Sequence, residues 1–280
     1  MSAHEIILVL DPDRDLGAFY ASRVPRDVVI AFSGWPGLSN GRNAGVRQAT
    51  GDIVAFIDDD AAADKDWLIS LVKNYQDPHV LGVGGLVEPV WQNGRPRWFP
   101  EELDWVVGCS YKGLPRNRSS VRNPFGCNMS FRRNVFQQIG YFRTYIGRVG
   151  KIPLGSEEAE FSIRLLANIL KSNIIHEPSA ITYHRVPMHR KSIRYLAKRS
   201  LYEGFSKRLL ERHVSGQIRA LSLEKRYLEY LFTISLPSRL KRLHEFNSVL
   251  QLIVLLLSVS LVLAGYLIGA LLSVDIAAKE

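Results

Sequence analysis

One segment near the C-terminus limits the possible architectures more than any other. Residues 252–274, LIVLLLSVSLVLAGYLIGALLSV, form an uncharged run of 23 residues. A helix needs about 20 apolar residues to cross a bilayer, so this run predicts one transmembrane helix within residues 248–274. A buried core helix is the alternative. Gly265 and Gly269 have the spacing of small residues in closely packed membrane helices, which would suit a homodimer through this helix.

The charge is distributed unevenly along the chain. Residues 1–180 carry 20 Lys and Arg against 20 Asp and Glu, whereas residues 181–280 carry 16 against 7. The basic or titratable side chains just before the apolar run are Arg239, Lys241, Arg242 and His244. This bias predicts a single pass through the cell membrane with the N-terminal portion in the cytoplasm.

A second basic stretch lies upstream of the apolar run. Residues 185–226 interleave Lys and Arg with Tyr, Leu and Phe at helical spacing. This pattern predicts amphipathic helices on an anionic membrane surface within residues 191–247. A solvated helix face is the alternative. No nucleic-acid partner is expected, because the adjacent apolar run already explains the charge.

The composition excludes several other classes of protein. Apolar residues make up 46% and charged residues 22%, which excludes a disordered chain and a polytopic membrane protein. Cys109 and Cys127 are too few for a disulfide scaffold and too far apart for a CxxC site. We interpret both as reduced thiols of a cytosolic domain.

Two short apolar runs in the first quarter of the chain predict strands. Residues 5–10, EIILVL, and residues 52–57, DIVAFI, suit strands of a sheet covered on both faces. Residues 43–50 and 67–75 have helical spacing between and after them. The fold class is therefore α/β, and ligands of such sheets gather at the C-terminal ends of strands.

Three adjacent carboxylates follow the second of these strands. Asp58, Asp59 and Asp60 repel one another, so either the loop is fully solvated or a cation compensates their charge. Clustered carboxylate oxygens suit Mg²⁺ or Mn²⁺, which can also bind the phosphates of a nucleotide. The chain has no GxxxxGK[ST] or GxGxxG sequence, which removes the P-loop and dinucleotide interpretations.

Longer motifs around these acids resemble glycosyltransferase family 2. Residues 37–68, GLSNGRNAGVRQATGDIVAFIDDDAAADKDWL, are similar to the nucleotide-sugar-binding half of the GT-A fold of that family. GCNMSFRR at 126–133 and GSEEAEFSIR at 155–164 match its acceptor half in the expected order. With WFPEELDWVVGCSYKGLP at 98–115, the chain most resembles the glucosyl-dolichyl-phosphate glucuronosyltransferases.

The resemblance implies a fold and an activity. The fold would be a Rossmann-like nucleotide-diphospho-sugar transferase domain, with its nucleotide-sugar half in residues 1–90 and its acceptor half in 91–190. Members usually begin with a strand and a helix before the strand at 5–10, so we expect a sheet that lacks its first strand. The activity would be metal-dependent, inverting transfer of a sugar. Its donor would be a nucleotide sugar, such as a UDP-sugar, and its acceptor a saccharide linked to polyprenyl or dolichyl phosphate.

The resemblance also implies roles for particular residues. Asp11 would contact the nucleobase, and Asp58 or Asp59 would lie near the ribose. The complete set of donor-binding residues would be Asp11, Arg42, Asn43, Asp58 and Asp59. Asp60 would bind the metal, with His184 beside it.

The acceptor side is implied in the same way. Glu158 takes the place of the family's second acid and would be the catalytic base. Trp105, Asn128 and Glu157 would line the acceptor site. The remaining alternatives are a catalytically inactive membrane-tethered binding subunit, a processive polysaccharide synthase and a polyprenyl-phosphate sugar synthase. The absence of a QxxRW sequence after the acids disfavours the processive synthase.

Overall fold

The computed structural model describes residues 2–147, 154–214 and 221–271. Helices and strands alternate in the first part of the chain, as the α/β prediction requires. The elements up to the acidic cluster are β1 (Ile6–Leu10), α1 (Arg14–Ala21), β2 (Val28–Phe32), α2 (Leu38–Gln48) and β3 (Ile53–Ile57). The predicted strands at 5–10 and 52–57 are thus confirmed as β1 and β3.

The middle of the chain supplies the rest of the sheet. Its elements are β4 (Ala61–Ala63), α3 (Trp67–Val72), β5 (Val80–Trp91), β6 (Ser119–Ser120), β7 (Asn128–Arg132), α4 (Arg133–Ile139), α5 (Glu157–Asn168) and β8 (Asn173–Val186). The C-terminal helices are α6 (Ile193–His213), α7 (Ser222–Tyr230), α8 (Leu236–Leu240) and α9 (Phe246–Leu271). The predicted membrane helix corresponds to α9, and its last three predicted residues, 272–274, lie outside the described ranges.

The main sheet is mixed and has six strands. Its order is β3-β7-β5-β8-β4, with β6 paired to β8. β7 runs antiparallel to both β3 and β5, whereas β5 and β8 run parallel along most of their lengths. The short strand β4 pairs with β8 so that Ala61 lies opposite His184. The chain just after β3 is therefore held against the C-terminal part of β8.

The first two strands form a separate sheet. β1 and β2 pair in parallel, with Ile6 opposite Val28, and within the described residues neither pairs with β3. The Glu5 carboxylate accepts hydrogen bonds from the backbone N–H groups of Thr50 (2.7 Å) and Gly51 (3.0 Å). These bonds fix β1 beside the turn that precedes β3. β1 and β2 therefore lie beside the main sheet as a small sheet of their own.

A cluster of aromatic rings positions α5 against β7. The ring of Phe161 lies 4.9 Å from that of Phe131, 4.8 Å from Phe136 and 4.6 Å from Phe142. Phe161 is fully buried. Because it lies one turn into α5, this packing fixes the direction of the helix and the position of its N-terminus.

Small residues allow α6 and α9 to pack in close contact. The Ser200 and Ser258 hydroxyls are 2.8 Å apart. A Cβ added at Gly204 would lie 1.9 Å from the Val262 carbonyl oxygen, and one added at Gly265 would lie 1.9 Å from that of Leu201. Only glycine permits such an approach. The predicted homodimer contact therefore needs correction, because the face with Gly265 packs against α6 of the same chain.

Some residues of the predicted membrane-surface region are paired inside the protein. α6 lies between α9 and the catalytic half, and Lys207 on it forms ion pairs with Glu203 (2.9 Å) and Glu224 (3.0 Å). Arg239, predicted to flank the membrane helix, is buried and bonds to the Glu102 carboxylate at 2.7 and 2.9 Å. Lys207 and Arg239 therefore compensate acids inside the protein.

Candidate active site

Two carboxylates and an imidazole converge at the end of β3. One ligand atom from each of Asp58, Asp60 and His184 lies within 4.8 Å of the others. The Asp60 Oδ1 to His184 Nε2 distance is 3.1 Å. The pairing of β4 with β8 produces this contact, because it places His184 opposite the residue that follows Asp60.

The charges around this cluster are only partly compensated. Burial raises the pKa of Asp58 above its ordinary value, and the Arg42 guanidinium 3.7 Å away opposes the shift. Burial also disfavours the charge on Asp60, but the hydrogen bond and charge of His184, with the charge of Arg190, outweigh it and lower the pKa of Asp60. An added cation would stabilise the ionised form of both carboxylates.

The donor set of this cluster fits a divalent ion. Two carboxylate oxygens and one imidazole nitrogen suit Mn²⁺, and the carboxylates also suit Mg²⁺. The three side chains are held by the ends of β3 and β8, so their approach does not depend on an ion.

Arg42 links the donor side of the cleft to α5. Its side chain on α2 is buried, and Nη1 donates to Glu157 Oε1 at 2.8 Å. Nη2 donates to the Gly126 carbonyl at 3.1 Å. Glu157 Oε2 is buried and has no hydrogen-bond partner within the described residues. One oxygen of Glu157 therefore holds Arg42 and the other is buried, so contact between Glu157 and an acceptor stays a prediction.

Glu158 has the properties of a general base. It follows Glu157 at the start of α5 and lines the same cleft as Asp58 and Asp60. Burial and the neighbouring Glu157 charge raise the pKa of Glu158 to about 7, against the opposing charges of Arg42 and Lys207. A carboxylate with a pKa near the working pH is well suited to accept a proton during catalysis.

The other predicted donor residues lie in two different settings. Asp11, at the end of β1, is exposed in the cleft, and its Oδ1 lies 3.4 Å from the Ser33 hydroxyl. Asp59 is also exposed and lines the cleft. Asn43 is buried, and its amide bonds both the carbonyl and the N–H of Phe142. The prediction that Asn43 binds the donor therefore needs correction. Its amide supports the backbone at Phe142 instead.

The predicted acceptor residues also divide. Trp105 is half-buried in the cleft wall, and its indole N–H donates to the Tyr227 hydroxyl at 3.2 Å. Asn128 is fully buried, and its amide donates to the Leu86 and Ala180 carbonyls, each at 2.8 Å. The Asn128 carbonyl accepts from a Trp67 N–H at 2.8 Å. Asn128 has no group left for an acceptor, so the prediction for this residue needs correction.

Sequence reasoning missed two basic residues of the site. Arg190, in the turn after β8, has Nη2 3.4 Å from Asp60 Oδ2. Lys207 on α6 lies close enough to Glu158 to oppose its pKa shift. Both residues fall within the basic stretch at residues 185–226. Their position opposite the acids depends on contacts between distant segments, which the local pattern does not reveal.

A single cleft connects these groups to the C-terminal helices. It has a volume of about 2190 Å³, and its lining includes Asp11 and the acids that follow β3. Glu158 also lines it, and α9 contributes Val262 and Tyr266. Asp60 and Glu158 therefore line one cleft, which is large enough for two ligands.

Comparisons with known proteins support one family. The model of "Glycosyl transferase family 2" matches residues 2–140. A glucosyl-dolichyl phosphate glucuronosyltransferase of Haloferax volcanii is 36% identical over 84% of this chain and 75% of its own length. The succinoglycan biosynthesis protein ExoM of Rhizobium meliloti is 27% identical over 65% of this chain and 55% of its own length.

A solved structure was also found. It is described as GalNAc-T7 with UDP, GalNAc and Mn²⁺, and it is 14% identical with a TM-score of 0.49. The match covers 82% of this chain and 50% of that one. The family itself rests on the matching family model and on the Haloferax relative. On these two findings, the chain belongs to glycosyltransferase family 2 and is a glycosyltransferase.

Proposed function

We propose that this glycosyltransferase is metal-dependent and inverting, and that it works at the cytoplasmic face of the cell membrane. The donor is a nucleotide sugar, with a UDP-sugar as the first candidate, and the acceptor is a saccharide linked to polyprenyl or dolichyl phosphate. The observation that carries the proposal is the shared cleft of Asp58, Asp60, His184 and Glu158, which continues to the apolar helix α9.

The donor end of the cleft suits a nucleoside diphosphate. Asp58, Asp60 and His184 would hold a divalent ion, which supplies neutralisation of the leaving diphosphate. Arg190, beside Asp60, adds a positive charge at the same place. Asp11 and Asp59 are exposed along the cleft, where the base and the ribose would lie.

The acceptor end supplies the proton acceptor. Glu158 takes the proton of the acceptor hydroxyl while the oxygen of that hydroxyl bonds to the anomeric carbon of the donor sugar. The bond from that carbon to the phosphate oxygen breaks, and the electron pair leaves with the nucleoside diphosphate. Attack from the face opposite the leaving group inverts the configuration at this carbon. Glu157 holds the Arg42 guanidinium, which lies 3.7 Å from Asp58, between the two groups of acids.

The proposal for the acceptor rests on α9 and on the relative. α9 is long and apolar enough to enter a membrane, and it lines the same cleft as Glu158. The Haloferax relative is named for a glucosyl-dolichyl phosphate substrate. The predicted single pass is one way in which α9 could enter the bilayer, and an orientation in the plane of the membrane is the other. The alternative of an inactive binding subunit is disfavoured by the presence of both the metal-ligating set and Glu158.

The test is a transfer assay with the purified full-length protein. UDP-glucuronate, UDP-glucose and other nucleotide sugars are offered with either a lipid-linked glucosyl phosphate or a bare polyprenyl phosphate. The proposal expects transfer only to the lipid-linked sugar, inverted configuration by NMR, loss with EDTA and recovery with Mn²⁺. Transfer to the bare phosphate would indicate a polyprenyl-phosphate sugar synthase. Glu158→Gln is the matched inactive control, and transfer that persists in EDTA would contradict the metal requirement.

A further inference from the structure

α9 does not extend away from the catalytic half as an isolated helix. α6 runs beside it in the same direction, from the bonded pair Ser200 and Ser258 to the Arg212 side chain at the Ala270 carbonyl. α6 in turn packs on α5, where Leu210 joins the buried cluster that contains Ala159 and Ile163. The inner face of α9 is therefore attached to the globular domain along most of its length.

Charged side chains accompany α9 along this contact. Arg199 and Glu203 form an ion pair at 3.3 Å on α6, one turn before Lys207. Arg208 pairs with Glu211 at 2.8 Å, near the end of the contact. If α9 crossed a bilayer in this arrangement, these groups and the acids they pair with would enter the hydrocarbon. Ionised side chains inside a membrane are rare because their transfer from water is costly.

The outer face of α9 is an uncharged apolar stripe. Its exposed members follow helical spacing along the whole helix: Ile253, Leu256, Leu257, Ser260, Leu263, Leu267, Ile268 and Leu271. The buried residues lie on the opposite face, against α6. Lys241 and Arg242 are exposed just before α9. Lys198 is exposed near the beginning of α6. This combination of an apolar stripe with exposed bases is complementary to an anionic lipid surface.

We infer that α9 lies in the plane of the cytoplasmic leaflet, with its outer stripe in the acyl region, and does not cross the bilayer. This inference rests on the membrane attachment proposed above and assigns its geometry. Leu263 belongs both to the stripe and to the lining of the cleft. The in-plane orientation therefore opens the cleft at the leaflet surface, where a lipid-linked acceptor resides.

The depth of α9 in vesicles tests the inference. Single cysteines are introduced by Ile253→Cys, Ser260→Cys and Leu267→Cys, labelled with a fluorophore, and quenched by lipids that carry quenchers at shallow or deep positions. Vesicles contain phosphatidylglycerol. The in-plane orientation predicts the same depth for all three labels. A spanning helix predicts depths that differ by about 21 Å between the first and last label. The unmodified chain, whose two cysteines are buried, is the background control.

Two further results separate the possible outcomes. A cleavable tag after residue 280 should stay accessible to protease added on the side of the catalytic domain, whereas a spanning helix would protect it. Leu256→Lys and Leu267→Lys should each weaken vesicle binding about tenfold or more, given the transfer free energy of a leucine. Leu170→Lys, at a 90% exposed position outside the stripe, should leave it unchanged.

A graded depth or a protected tag would overturn the in-plane orientation but leave membrane attachment intact. No quenching at any of the three positions would overturn both. Transfer to a water-soluble acceptor analogue, measured on the same variants, reports separately on the proposed activity.

Discussion

The pH dependence of transfer should follow the ionisation of Glu158. Burial and the charge of Glu157 raise the pKa of Glu158 to about 7, so below that pH the side chain is protonated and cannot accept the acceptor proton. With one titrating group, about a tenth of the molecules carry the ionised base one pH unit below the midpoint, and about nine tenths one unit above it. We therefore expect kcat/KM to rise about tenfold over these two units.

Two substitutions connect this profile to Glu158. Glu158→Gln removes the base, so kcat should fall by about 10²- to 10⁴-fold and the acidic limb should disappear. Glu157→Gln removes the neighbouring negative charge that raises the pKa of Glu158, so the midpoint should move to lower pH. Glu157→Gln also removes the ion-pair partner of Arg42, which can change the rate by itself. The midpoint of the pH profile, and not the absolute rate, is therefore the quantity to compare.

The assay is the initial rate of transfer to a water-soluble acceptor, at low acceptor concentration and saturating donor concentration. It is measured over the pH range in which circular dichroism shows that the fold is unchanged. Product analysis at each pH confirms that transfer, and not donor hydrolysis, is measured. A flat profile for the unmodified protein, or the same acidic limb in Glu158→Gln, would refute the assignment of Glu158 as the base.

Three other substitutions test the remaining parts of the site and its support. Asp60→Asn should lower transfer at least ~100-fold, because it removes a carboxylate from the proposed metal site. Donor binding measured by calorimetry should become insensitive to EDTA in this variant. Unchanged turnover would exclude Asp60 as a metal ligand. Asn128→Ala should lower the free energy of unfolding by about 3 kcal/mol, because it removes three buried hydrogen bonds. A raised KM for the acceptor with unchanged stability would instead restore the predicted binding role. Glu102→Gln should destabilise the protein by about 3 kcal/mol in urea unfolding, because it leaves the buried Arg239 charge uncompensated, whereas the exposed control Glu101→Gln should have little effect.

The sequence predicted the elements whose signals are local. β1 and β3 are short apolar runs, and α9 is a long one, so composition and period alone located them. The acids after β3 were located for the same reason. The place of His184 followed only from the family resemblance, because its contact with Asp60 depends on how β4 pairs with β8.

The contacts that the sequence did not predict share a physical cause. A basic residue on a helix has the same local pattern whether it faces lipid, solvent or a buried acid. The local pattern favours the membrane side for Lys207 and Arg239, but Glu224 and Glu102 compensate their charges. In the same way, the glycine spacing of α9 predicted a close helix contact correctly but could not identify α6 as the partner.

The separation of the two sheets makes the stability of the protein uneven. A two-stranded sheet is only marginally stable alone in water, and β1 and β2 depend on α2 and on the Glu5 bonds for support. β1, α1 and β2 form a small lobe, in which Phe19 and Phe32 remain about half exposed. Local unfolding of the lobe should therefore require less free energy than unfolding of the whole protein. Because Asp11 belongs to it, a donor whose base binds there would favour the ordered lobe, so nucleotide occupancy and the folding of this lobe are thermodynamically linked.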